Sequence, residues 1–243
     1  MPTFILKHIA REEPGLITEV LDTHRLPYRI VEFERGRAFP ERLEDTSALF
    51  LMGGPQSAND ENPDMLRERE FVRLAIARGT PVFGVCLGLQ IMVAALGGRV
   101  IRMRDMPGRL EKEVGFRDPA EGDLFQVLLT KRGKNDPLLA GVAEEFAVFQ
   151  LHGEKVLPAP GMTLLGLGAF CLQQIVRVGP KAYGLQPHIE LTRPLLERWL
   201  REDPDLKPLD AAAVLADYEK IEDEYAARGR RIIENFLRIA GLI

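Results

Sequence analysis

Three features of this 243-residue chain have the residue types and spacing for acyl transfer: a cysteine set between glycines, a histidine two residues before a glutamate, and an adjacent glycine pair. The cysteine is Cys86, in Gly84-Val85-Cys86-Leu87-Gly88. The apolar run Pro81 to Val85 predicts a strand buried on both faces. Leu87, Ile91, Met92, Ala95 and Leu96 then recur on one face of a helix that Gly97-Gly98 ends. A cysteine at such a strand-to-helix turn has the form of a nucleophile elbow with sulfur in place of hydroxyl. Side chains at positions 84 or 88 would collide with neighbouring backbone. The helix aims free N–H groups and the positive end of its dipole at the sulfur, which suits a nucleophile. The alternative is a buried small hydrophobe, as many free cysteines are.

A thiol nucleophile needs a base, and the chain has four histidines: His8, His24, His152 and His188. His24 falls in a charged first helix and reads as solvated, and His8, at the end of the first strand, reads as a structural or rim residue. His188 follows a strand in Gly184-Leu185-Gln186-Pro187-His188-Ile189-Glu190. Residues two apart in extended chain face the same way. Glu190 can therefore hold one ring nitrogen of His188 and leave the other for Cys86. In that arrangement the acid fixes tautomer and orientation, and the histidine takes and returns the proton. A lone His-x-Glu is also a common surface pair. The N–H of Leu87, directly after the nucleophile, supplies half of an oxyanion hole by the geometry of the elbow. Gly53-Gly54 could supply the other half, since glycines let backbone approach a substrate closely; an ordinary loop is the alternative.

Positioning these residues requires strands that end on one edge. Thr3 to Ile9, Pro27 to Phe33 and Ser47 to Met52 read as strands, with a helix opening at Pro14-Gly15 and another over Asp64 to Arg78. In that second helix Leu66, Phe71, Leu74 and Ile76 are the candidate inward residues. Alternating strands and helices predict a parallel sheet covered on both faces, with functional loops at the carboxyl ends of the strands. After Gly98 the chain reads as short extended pieces around Met106-Pro107-Gly108. Strand candidates follow at Leu124 to Leu129, Phe146 to Leu151, Met162 to Leu167, Cys171 to Val178 and Ala182 to Gln186: an antiparallel excursion. Helix returns at Arg193 to Arg201. Pro204 and Pro208 then break the chain, Asp210 caps a long helix, and Gly241 closes it. The division expected is a catalytic domain over residues 1–203 and a helical extension over 204–243. The extension's apolar stripe either packs on the parent domain or forms a homodimer or docking contact.

Composition narrows the function. Hydrophobic residues at 46% and charged residues at 28% are ordinary for a globular protein. A net charge of −4 with no lysine/arginine cluster argues against nucleic-acid binding. Two cysteines make neither a disulfide framework nor a four-ligand metal site, and no residues imply a metal or organic cofactor. With no membrane-length apolar stretch and no signal-peptide pattern at the N-terminus, a cytoplasmic, reducing location is expected.

Gly53-Gly54-Pro55, Gly84 to Gln90, His152-Gly153-Glu154 and Gly184 to Glu190 together resemble class I (triad-type) glutamine amidotransferase domains. The likeness is closest to stand-alone proteins similar to the glutaminase half of GMP synthase, and it covers roughly residues 1 to 200. The resemblance implies a flavodoxin-like three-layer α/β sandwich with a mostly parallel central sheet. It also implies hydrolysis of the glutamine side-chain amide through a γ-glutamyl thioester, with ammonia passed to a synthetase. Carried over, it makes Cys86 the nucleophile, His188 the base, Glu190 the orienter, and the Gly54 and Leu87 N–H groups the oxyanion hole. Gln90, with Gly53, Gly153 and Glu154, would bind substrate, and His152 would sit on the pocket rim. The chain departs from the family where Pro187 precedes rather than follows the histidine, where Leu89 replaces a common histidine, at Gln150-Leu151 before His152, and at Leu172-Gln173-Gln174. A glycine-rich phosphate loop with lysine is missing, so amination would occur on a separate protein. A stand-alone γ-glutamyl hydrolase and a catalytically silent interaction protein are the alternatives.

Overall fold

Apolar residues along the first strands alternate between two cores, which is why these strands read as continuous hydrophobic runs. A computed structural model of the chain describes residues 1–33, 43–105, 110–119 and 121–243. It contains β1 (Thr3–Lys7), β2 (Tyr28–Glu32), β3 (Ala48–Leu51) and β4 (Val82–Val85), separated by α1 (Leu16–Thr23) and α2 (Pro63–Ala77). Ile5, Ala48, Phe50, Phe83 and Val85 face a core shared with α1, whereas Phe4, Leu6, Leu49, Leu51 and Val82 face one shared with α2 and α3 (Leu87–Ala95). Three layers result.

The rest of the chain supplies β5 (Val100–Arg102), β6 (Glu113–Gly115), β7 (Gln126–Leu129), β8 (Glu145–Ala147), β9 (Gln150–His152), β10 (Glu154–Val156), β11 (Thr163–Leu167), β12 (Ile175–Gly179) and β13 (Ala182–Leu185). The nine-stranded main sheet runs β2-β1-β3-β4-β13-β12-β11-β7-β8. Its parallel half, β2 to β13, has the flavodoxin-like order. The antiparallel excursion continues the same sheet from β12 to β8. Two small pairs, β5–β10 and β6–β9, stand apart from it. The predicted strand over Phe146 to Leu151 is split between β8 and β9, which belong to different sheets. Met106-Pro107-Gly108 lie outside the described residues.

In α2 the inward residues are Met65, Glu68, Val72, Ala75 and Ile76, while Leu66 is exposed. Ile76 is buried and Phe71 and Leu74 pack partly buried against the second core, so the apolar pattern went wrong at Leu66, near the inward position that a carboxylate, Glu68, takes to meet His8. Leu96 is likewise exposed, beyond the last turn of α3.

Helices α4 (Arg193–Glu202) and α5 (Ala211–Ala240) close the fold. Asp210 accepts from the N–H groups of Ala212 and Ala213, and Gly241 ends α5 at φ 77°. The α5 stripe is buried. Ile232, Phe236 and Leu237 join the first core, with Phe236 5.2 Å from both Phe50 and Phe83. Tyr218 and Tyr225 join a third core with Phe116, Phe149 and Trp199. Gly229 lets α5 approach the 188–190 loop, because a Cβ there would strike the Ile189 carbonyl oxygen. Helix propensity alone would make Gly229→Ala stabilising by about 1 kcal/mol. Overpacking against fixed backbone costs about 1–3 kcal/mol. Net destabilisation is the expected outcome, read as a lowered denaturant midpoint.

Candidate active site

The elbow forms where predicted. Cys86 leaves β4 at φ 51°, ψ −108° and begins α3, its N–H donating to the Leu185 carbonyl at 2.7 Å. Such a backbone conformation is strained for a residue with a Cβ, by about 1–3 kcal/mol. The turn is held tight on both sides. A Cβ on Gly84 would lie 2.6 Å from the Gly88 carbonyl carbon, and one on Gly88 would strike the Leu51 carbonyl oxygen of β3. As a first-turn residue of α3, Leu87 has an N–H with no intrahelical acceptor.

His188 reaches the same point from the end of β13, which pairs with β4. Its Nδ1 lies 2.7 Å from Glu190 Oε1, and Cys86 also acts on the ring. Cys86 Sγ receives Gln186 Nε2 at 3.7 Å and lies 3.6 Å from the Leu151 carbonyl oxygen. Burial alone would push the His188 imidazole down. The Glu190 charge and the hydrogen bonds to Cys86 and Glu190 outweigh it and hold the imidazole well above its ordinary value. The 188–190 backbone is pinned at every position. His188 N–H donates to Phe149 at 3.0 Å, and the Tyr225 hydroxyl donates to the His188 carbonyl. Ile189 N–H donates to Glu190 Oε2 at 2.9 Å, and Leu16 N–H donates to the Glu190 carbonyl at 2.9 Å. Trp199 of α4 meets the imidazole edge-on, ring centres 4.8 Å apart. With these restraints, Pro187 leaves the imidazole beside the thiol.

Gly53-Gly54, just past β3, is oriented by a second histidine. His8 Nδ1 lies 3.0 Å from the Gly53 carbonyl oxygen, and its Nε2 lies 2.9 Å and 3.1 Å from the Glu68 carboxylate. Burial opposes a charged ring, but Glu68 and the Gly53 carbonyl outweigh it and raise the pKa. Both nitrogens face acceptors, so His8 is held as the imidazolium. A trans peptide points its C=O and N–H in opposite directions. With the Gly53 carbonyl turned to His8, the Gly54 N–H of the same peptide turns away from it.

A cavity of about 460 Å³ opens onto Cys86. Of the predicted substrate residues, Gln90, Gly153 and Glu154 line it, as does Gly54. Gly53, Leu87, His188 and Glu190 form the structure behind it. Gln90 Nε2 donates to the Glu154 carbonyl at 3.0 Å and to Gln186 at 3.3 Å, and the Glu154 carboxylate accepts from Ser57 at 2.8 Å. His152 also lines the cavity but is buried. Its nitrogens lie 3.0 Å from the Glu154 carbonyl and 2.9 Å from Glu113. Glu113, His152 and Cys171 bring their donor atoms within 4.8 Å of one another. The group satisfies itself, however, since Glu113 also accepts the Cys171 N–H at 2.9 Å. Burial, with the Glu113 charge, pushes the Cys171 thiol far up, which makes it inert.

Sequence reasoning passed over Glu12, Glu68, Gln186, Trp199 and Tyr225, and read His8 only as structural or rim. His8 and Glu12 lie just past β1, on the edge that carries Cys86, and that position was the available signal. Tyr225 falls in the apolar stripe of the long C-terminal helix, and Trp199 in the helix expected over Arg193 to Arg201, neither of which marks a site residue.

A family model described as glutamine amidotransferase class-I matches residues 16–197. The glutamine amidotransferase-like protein YfeJ of Salmonella typhimurium is 30% identical over 162 residues, 65% of this chain and 62% of that protein. A glutamine-hydrolyzing GMP synthase of Salmonella paratyphi B is 31% identical over 203 residues, 81% of this chain and 35% of that protein. The chain thus spans less than two thirds of either relative. The crystal structure of a glutamine amido transferase from Methylobacillus flagellatus superposes with a TM-score of 0.84 at 23% identity, covering 98% of this chain and 94% of that one.

Proposed function

The chain belongs to the class-I glutamine amidotransferase family, and on that premise we propose that it hydrolyses the side-chain amide of glutamine through a thioester on Cys86. The observation that carries this reading is the Cys86 elbow with His188 acting beside it and hydrogen-bonded to Glu190, set at a cavity large enough for an amino acid. The one proton that Cys86 and His188 share rests on the imidazole, and the Cys86 sulfur attacks the amide carbonyl. The Leu87 and Gly54 N–H groups receive the developing oxyanion. His188 protonates the departing nitrogen, ammonia leaves, and water resolves the thioester to glutamate. Gln90, Gly153 and Glu154, with Gly53 behind them, hold the amino-acid end of the substrate.

Residues 1–203 form the catalytic domain in this reading, and 204–243 an extension whose helix α5 braces the His188 loop. Ammonia passes to a separate acceptor enzyme. The likeness to a GMP synthase, limited to 35% of that protein, supports this. Among the described residues no helix is long and apolar enough to cross a membrane.

The test is release of ammonia and glutamate in equal amounts from glutamine by purified protein, with γ-glutamyl peptides assayed alongside. Glutamine inert beside cleaved γ-glutamyl peptides would move the assignment to a γ-glutamyl hydrolase. Neither substrate turning over, with no adduct from a glutamine-analogue electrophile, would remove the enzymatic reading.

A further inference from the structure

Glu12 is 5% exposed, and its Oε2 has no hydrogen-bond partner among the described residues. It lines the Cys86 cavity. A Cβ built on Gly53 would strike Glu12 Oε2 and lie 3.0 Å from His188 Cε1, so the carboxylate and the imidazole edge converge on one point. His188, Glu190, His8 and Arg11 are the charged groups that act on it. None of the cations among them hydrogen-bonds Glu12 Oε2. The His188 ring is engaged by Glu190 and Cys86, His8 by Gly53 and Glu68, and Arg11 by Asp203 at 2.8 Å. A buried acceptor oxygen without a donor is destabilising. Here it stands at the imidazole edge in the cavity that Cys86 lines, and is available to a donor that arrives with substrate.

We propose that Glu12 accepts an N–H from the scissile carboxamide nitrogen and holds that nitrogen against His188 while the C–N bond breaks. The proposal rests on the amide-hydrolysis reading above. A carbonyl oxygen placed on the Gly54 and Leu87 N–H groups directs the leaving nitrogen toward the imidazole, whose Cε1 edge Glu12 flanks. Sγ forms the C–S bond as the C–N bond breaks. The nitrogen takes the proton held on His188, and leaves as ammonia with one of its N–H groups on Glu12. Glu12 neither gains nor loses a proton overall. Its part is to select a leaving group that carries N–H.

The discriminating substrate pair is glutamine and glutamate γ-methyl ester, whose leaving oxygen has no N–H. Glu12→Met removes the acceptor, and Glu12→Gln keeps one carbonyl oxygen in nearly the same shape. For Glu12→Met, kcat/KM for glutamine is expected to fall about 10- to 100-fold while the ester changes less than about twofold. For Glu12→Gln, the amide-to-ester ratio is expected to fall by a smaller factor. Should the Met variant fail to fold, the ratio in the Gln variant decides. A ratio unchanged from wild type, whether both substrates fall together or neither falls, overturns the proposal. Wild-type protein inert to both substrates would instead overturn the amide-hydrolysis reading itself.

Discussion

Replacing Cys86 with alanine is expected to lower ammonia release from glutamine by at least about 10⁴-fold, since the nucleophile cannot be replaced by its neighbours. The other cysteine, Cys171, is buried with its thiol pushed far up, and the cavity residue His152 has both ring nitrogens occupied. Stability should respond differently. Cys86 holds φ 51°, ψ −108° because its β4 N–H is tied to Leu185 and its helix is wedged against β3. Alanine keeps the Cβ and its strain, whereas glycine removes both. Cys86→Gly is therefore expected to be more stable than Cys86→Ala by about 1–3 kcal/mol in denaturant unfolding. A glycine variant less stable than the alanine one would sink the idea that this turn stores strain. Appreciable ammonia release by either variant would remove the cysteine mechanism.

Glu190→Gln carries the second large effect. The amide can still reach the imidazole, but the anion that holds His188 protonated is gone. Activity should fall by about 10²- to 10⁴-fold, through a misplaced tautomer and an unsupported imidazolium. The pH dependence of stability has a definite sign. Wild-type His188 keeps its proton above the pH of about 6.5 where an unfolded imidazole loses it. Its contribution to stability is thus fully present below about pH 6.5 and is lost as the pH rises through the folded value. In Glu190→Gln burial dominates, the folded imidazole titrates lower, and that loss at high pH should disappear. Histidine NMR titration and denaturant midpoints across pH check both statements. An unchanged His188 titration would show that Glu190 does not set its charge.

The parallel half of the sheet was legible because β1, β3 and β4 bury both faces and so carry uninterrupted apolar runs. The elbow was legible for a local reason: strand, glycines, cysteine and helix are consecutive. His188 and Glu190 were legible because extended backbone puts alternate residues on one side. Where two signals overlapped, pattern reading failed. In α2 Glu68 takes an inward position while Leu66 is exposed, and the single apolar run from Phe146 to Leu151 concealed a change of sheet between β8 and β9.

Sequence alone, then, singled out Cys86, His188 and Glu190 as candidates and determined the edge of the sheet on which they stand. Tertiary structure decided what holds them. Tyr225 reaches back 37 residues to the His188 carbonyl, and His8 spans 45 residues to Gly53 and 60 to Glu68. Among the described residues Glu12 is left with an unpartnered oxygen beside the imidazole. Periodicity records which face of an element is buried, and motifs record local turns. A lone polar side chain paired across the fold leaves no period and no spacing, so its partner, or its want of one, is decided only when the layers pack.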